Sequence, residues 1–142
     1  MTKQLPYSNF QLISHALTRQ RLPIEQFTST SIKLAALRCN QYQAKQFSSI
    51  FTHVNSLPSF AFIVSYRYIA QLLVQSTIPS KLAGLVHISS QFEKHANHDW
   101  QQIFDLKVSI NDCTLTEKGL VYAVHSEFSQ HNQTTLINYN EI

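Results

Sequence analysis

A run from Leu57 to His87, LPSFAFIVSYRYIAQLLVQSTIPSKLAGLVH, limits what this chain can fold into more than any other stretch. Pro58 and Ser59 have the chemistry of a helix entrance. Proline is tolerated where backbone N–H groups lack partners, and a serine hydroxyl can accept from those that remain. Phe62, Tyr66, Ile69 and Leu73 recur at helical spacing, while Phe60, Ile63, Val64, Tyr68, Leu72 and Val74 fill most of the remaining circumference. A helix that is apolar nearly all round belongs inside a protein or inside a membrane. A spanning helix needs about 20 mainly apolar residues; this run is shorter, with Arg67 in its middle and Gln71 and Gln75 near its end. The expectation is no membrane span but a helix enclosed by the protein, with Tyr66 and Tyr68 among the core aromatics.

The chain beyond Gly84 indicates what encloses it. Val86, Ile88 and Phe92 alternate with His87, Ser89, Gln91 and Glu93, the period of a strand with one face on a core. After a polar turn at His95 to Asp99, the stretch Trp100 to Leu115 places Phe104, Leu106, Val108 and Ile110 on one face and Asp105, Lys107 and Ser109 on the other. TEKG at Thr116 to Gly119 reads as a hairpin loop closed by a glycine of positive φ. Leu120 to Phe128 alternates again, and a turn at Gln130 to Gln133 leads to a last strand from Thr134 to Tyr139. Strands in meander order after one apolar helix predict an α+β fold, an antiparallel sheet wrapped around that helix.

Before the helix, Ser31 to Arg38 is a candidate first strand, although its Leu-Ala-Ala-Leu centre is equally compatible with a helix. Asn40 can cap a short helix over QYQAKQFSSIF with Tyr42, Phe47 and Ile50 on its apolar side. Residues 1–30 are a mixed, polar lead-in expected to pack on the outside, and residues 1–142 are expected to form a single domain. A chain of 142 residues can bury a core without disulfides or metals.

Composition removes several function classes. The formal charge of +3 is spread over scattered basic residues, with no stripe of the kind nucleic acid requires. Cys39 and Cys113 lie far apart and suit two free thiols in a reducing cytoplasm. Of seven histidines only His95 and His98 are close together, in the polar turn beside Asp99, where solvation is the expectation. Nothing calls for a metal or another cofactor. There is no GxSxG elbow and no glycine-rich phosphate loop, so α/β-hydrolase chemistry and nucleotide hydrolysis are poor readings.

LPSFAFIVSYRYIAQLL, the proline-containing break and KLAGLVHISSQFE together resemble the first, non-catalytic half of two-domain MaoC-like acyl dehydratases, and KGLVYAVHSEF resembles the hairpin strand of that half. The likeness runs over about residues 40 to 140. It implies the hotdog fold, a sheet curled around a long helix. It also implies binding of acyl thioesters of CoA or acyl carrier protein, for hydration or dehydration beside the thioester carbonyl. Active members resemble one another in a GDxNPxH motif whose Asp and His handle water and a proton. With the motif's proline on Pro58, its Asp falls on Asn55 and its His on Phe60. Asparagine cannot act as a carboxylate base and phenylalanine cannot transfer a proton, so the resemblance implies a degenerate member that binds an acyl group or a partner subunit.

Six residues are therefore candidates for the site. His53 is the titratable group nearest the expected chemistry, either catalytic or a loop histidine. Asn55, Ser59 and Phe60 surround the helix N-terminus, where a thioester oxygen would bind, although capping alone also accounts for Ser59. Arg67 must reach water, a carboxylate, or the phosphate or carboxylate of a ligand, because a buried unpaired guanidinium is costly. His87 matches the histidine of the GLVH segment and either binds substrate or anchors a loop. The expected partner is the thioester together with a second subunit, a copy of this chain or a catalytic hotdog chain. The rival readings are an active dehydratase or thioesterase using His53 or a group from a partner, and a non-enzymatic interaction subunit.

Overall fold

The computed structural model describes residues 27–50, 59–76, 78, 85–117 and 119–142. Within these, β1 (Thr30–Leu37) leads to α1 (Gln41–Ile50) and then to α2 (Ser59–Gln75), and four strands follow: β2 (Ser89–Lys94), β3 (Phe104–Thr116), β4 (Gly119–Gln130) and β5 (Gln133–Glu141). One five-stranded sheet results, in the order β1-β3-β4-β5-β2, with every pairing antiparallel. The hairpins expected from the pattern form its centre, and β1 and β2 are the edges.

Local chemistry accounts for the boundaries. The Asn40 side chain accepts the Tyr42 backbone N–H at 2.9 Å, which satisfies an N–H left without a partner at the start of α1. Gly119 closes the β3–β4 hairpin at φ 124°. His131 and Asn132 join β4 to β5 with φ of 50° and 61°, the left-handed pair that a two-residue hairpin matched to strand twist demands.

The period of two sorts each strand by face. Leu106, Val108 and Ile110 of β3, Tyr122, Val124 and Phe128 of β4 and Leu136 of β5 are buried on the inner face. Against them α2 lays Ala61, Ser65, Ile69, Leu72 and Leu73, a helical stripe. The register also aligns polar residues across this face. Ser126 stands opposite Asn138, and Asn140 stands opposite both Val124 and Ser90. Ser126, Asn138 and Asn140 are all buried.

Two expectations from the sequence fail here. The helix is enclosed only along its second half, where Ile69, Gln71, Leu72, Leu73 and Val74 are buried on every side; in the first half Ser59, Ile63, Tyr66 and Arg67 face solvent, and Tyr66, expected in the core, is 59% exposed. A sheet packs against one face of a helix about 10–12 Å across and leaves the opposite face to be covered by something else. The second strand of the sheet starts at Ser89 instead of near Leu85, so Val86 and Ile88, expected inward, are 69% and 57% exposed. Ile88 donates its N–H to the Glu141 carbonyl at 2.8 Å, but it lies at the end of the pairing and its side chain stays exposed. No helix among the described residues is long and apolar enough to cross a membrane.

Candidate functional site

The first turn of α2 divides two unlike environments. On one side the Phe60 ring, 1% exposed, meets Phe47 of α1 at 5.0 Å between centroids and the edge of Trp100 at 5.1 Å. Trp100 in turn packs edge-on against Phe104 at 5.8 Å and Phe128 at 5.3 Å. Edge-to-face geometry at these separations is what ring quadrupoles favour, so the rings interlock as well as exclude water. The loop carrying Trp100 is held by Gln130, whose side chain accepts from the Asp99 N–H at 2.9 Å and donates to the Asp99 carbonyl at 2.8 Å.

His98 belongs to this cluster. Its ring lies 4.1 Å from Trp100, 5.4 Å from Phe104 and 5.7 Å from Phe128, and the residue is 7% exposed. The sequence suggested a solvated turn histidine; the fold instead turns it under Trp100. The Thr135 hydroxyl donates to the Phe128 carbonyl at 3.1 Å, so its oxygen is the acceptor for His98 Nδ1–H at 2.7 Å. That assignment leaves Nε2 as a bare acceptor, buried and without a hydrogen-bond partner. Burial lowers the His98 pKa to about 4, against the opposing pull of Asp99. The one signal available in the sequence was the spacing of His98 and Trp100, which puts both side chains on one side of an extended segment.

On the other side of the turn Phe62 stacks on the His87 ring at 4.5 Å and 20° and meets Tyr66 at 5.7 Å. His87 Nε2 lies 3.0 Å from Ser90 Oγ and 3.3 Å from Asn140 Oδ1. Ser90 donates its hydroxyl proton to Asn140 Oδ1, which makes His87 Nε2–H the donor to both oxygens. Asn140 donates to Asn138 Oδ1 at 2.8 Å, and Asn138 donates to the Gln91 carbonyl at 3.2 Å. Each member has a partner, so the set anchors residues 85–90 to β5. Because Ser90 gives its proton to an amide oxygen, His87 does not act as a base toward it.

Ser59 is exposed at the start of α2, Phe60 is sealed beneath it, and His87 meets the neighbouring Phe62. Ser59, Phe60 and Phe62 share one helical turn, and His87 packs against it from the segment before β2. Arg67 does not join them: it lies two turns further along the solvent face, about 12 Å from Ser59 along the axis. His53 and Asn55 lie outside the described residues. Cys39 and Cys113 are free thiols, both raised in pKa chiefly by burial, which keeps them protonated. No group of three His, Cys, Asp or Glu among the described residues could hold a metal ion.

A five-stranded antiparallel sheet in this order with a long helix on its inner face is the hotdog fold, as the resemblance implied. Solved structures share it. HtdX of Mycobacterium tuberculosis matches with a TM-score of 0.69 at 10% identity, over 79% of this chain and 49% of its own, so the chain spans about half the length of HtdX. The MaoC-like dehydratase of Rhodospirillum rubrum matches with a TM-score of 0.54 at 11% identity, over 82% of this chain and 91% of its own. No protein-family model and no curated protein matches the sequence.

Proposed function

We propose that this chain is a MaoC-like hotdog protein that binds an acyl thioester of CoA or acyl carrier protein without efficiently turning it over. In this reading residues 1–142 act as one domain in the cytoplasm, paired with a second copy or with a catalytic hotdog subunit.

The observation that carries the reading is Phe60. Hydration or dehydration beside a thioester needs a proton donor or acceptor within hydrogen-bond reach of the reacting carbons. Phe60 takes the place that the motif gives to histidine, and its ring is closed in by Phe47 and Trp100. A benzyl group buried this way supplies no proton to a reacting carbon. The fold it shares with the Rhodospirillum rubrum MaoC-like dehydratase supports the choice of an acyl thioester as ligand.

The test is calorimetric titration of the purified chain with acyl-CoAs of increasing length, beside an absorbance assay of crotonyl-CoA hydration. Saturable binding with no hydration above background is expected. Robust hydration would overturn the non-catalytic reading, and loss of that activity in His53→Ala, with folding intact, would assign it to His53. Absence of binding across the series would remove the thioester as ligand and leave the interaction subunit.

A further inference from the structure

A groove of about 480 Å³ lies on the outer face of the sheet, opposite the face that carries α2, lined by Lys33, Leu34, Ala35, Asp105, Leu106, Lys107, Glu127, Ser129 and Asn132. Its wall is a bulge in β1. Leu34 pairs with Leu106 and Leu37 with Phe104, so β1 spends one residue more than β3 over this span. Ala36 takes the extra conformation at φ 54°, a left-handed backbone unfavourable for alanine. Its N–H, turned out of the ladder, donates to Asp105 Oδ1 at 2.8 Å.

That hydrogen bond begins a division of labour among the polar groups. Of the two carboxylates in the groove, Asp105 accepts the Ala36 N–H on one oxygen, and Glu127 accepts the Thr134 hydroxyl on one oxygen at 2.7 Å. The donors are differently placed. Lys33 and Lys107 are direct cross-strand partners, Lys107 stands opposite Glu127 on its other side, and neither lysine forms an ion pair among the described residues. Like charges facing each other across strands repel, with Cβ atoms about 4.5–5.5 Å apart. The Ser129 hydroxyl and the Asn132 amide add uncharged donors on the same groove. One oxygen of each carboxylate is thus engaged by the protein itself, and the two ammonium groups are not.

We infer that this groove is a binding site for a phosphate dianion, free or as the phosphomonoester of a small molecule, held between Lys33 and Lys107 with Ser129 and Asn132 donating to its remaining oxygens. A dianion between two ammonium groups replaces their repulsion with two charge-assisted hydrogen bonds. Asp105 and Glu127 oppose the anion, which sets the expected affinity for inorganic phosphate in the millimolar range and gives an organic group on the ester acceptors to engage. The volume fits a small ligand. The site is independent of the thioester reading, because it lies on the other face of the sheet.

The experiment is a two-dimensional amide NMR titration of the whole chain with inorganic phosphate and, separately, with ribose 5-phosphate, with chloride holding ionic strength constant. Saturable shifts centred on Lys33, Lys107, Ser129 and Asn132 are expected. Tighter binding of the ester would identify the ligand as an organic phosphate, and equal binding would identify free phosphate. The double variant Lys33→Ala/Lys107→Ala should bind at least about tenfold more weakly, having lost both charge-assisted contacts. In the absence of phosphate its midpoint of thermal unfolding should not fall, since a repulsive pair has been removed. Non-saturating shifts scattered over the surface, or equal binding by the double variant, would overturn the site.

Discussion

On the Phe60 side of the first turn of α2 the neighbours are rings, whereas on the Phe62 side they are amides, a hydroxyl and an imidazole. Each side contains a histidine, and the two are used in opposite ways. His87 shares its Nε2–H between two oxygens at a partly solvated margin, so its polarity is matched. His98 has one partner and an idle Nε2 inside an aromatic box. Dispersion and apolar burial carry the first side and tolerate one unmatched nitrogen. The second is a chain of hydrogen bonds in which each group depends on the next, since a buried polar atom left alone costs more than its bond contributes.

The comparison can be broken most severely at Trp100. Trp100→Ala removes the ring shared by Phe60, His98, Phe104 and Phe128, and a loss of about 3–5 kcal/mol in urea unfolding is expected. A loss below about 1 kcal/mol would mean that the cluster collapses onto the gap and that packing does not set its strength.

Acid should separate the two histidines. The folded pKa of His98, about 4, lies below its ordinary value of 6.5, so the unfolded chain takes up the proton first as pH falls. The stability contributed by neutral His98 is fully present above pH 6.5 and drains away between there and about 4. The total is up to roughly 3 kcal/mol. Unfolding free energies measured across that window should slope by about one proton, and His98→Phe should flatten the slope. An unchanged slope in the variant would assign the acid sensitivity to other groups.

The smallest expected effect sharpens the polar side. Asn140→Ala leaves Ser90, His87 and Asn138 each short of a partner, and a loss of about 1–3 kcal/mol is expected. Amide hydrogen exchange should quicken at residues 85–90 and stay unchanged around Trp100. Equal quickening at both places would show one cooperative unit in place of two.

Much of the fold was legible because local rules and tertiary contacts agree. The alternation from Phe104 to Ile110 and from Tyr122 to Phe128 survives because both strands lie in the middle of the sheet with one face on α2. Asn40 and Gly119 act as their chemistry predicts, because a cap and a tight turn involve only neighbours. Val86 and Ile88 misled because they precede β2, at the end of the pairing, where their side chains stay exposed. Of the candidate site, Ser59 and Phe60 lie on the first turn of α2 and His87 stacks on its Phe62, while Arg67 lies along the helix in solvent, a position its sequence surroundings left open.

The order of apolar and polar residues by itself determined the long helix, the central strands and their turns, since hydrophobic period and backbone preference act over a few residues. Only the tertiary structure decided which part of the helix stays uncovered, that His98 is drawn beneath Trp100, and that Lys33 faces Lys107 beside a bulge. Each of these depends on strands distant in sequence arriving in one register. Register is fixed by the sum of inner-face contacts across the whole sheet, and no single segment encodes it.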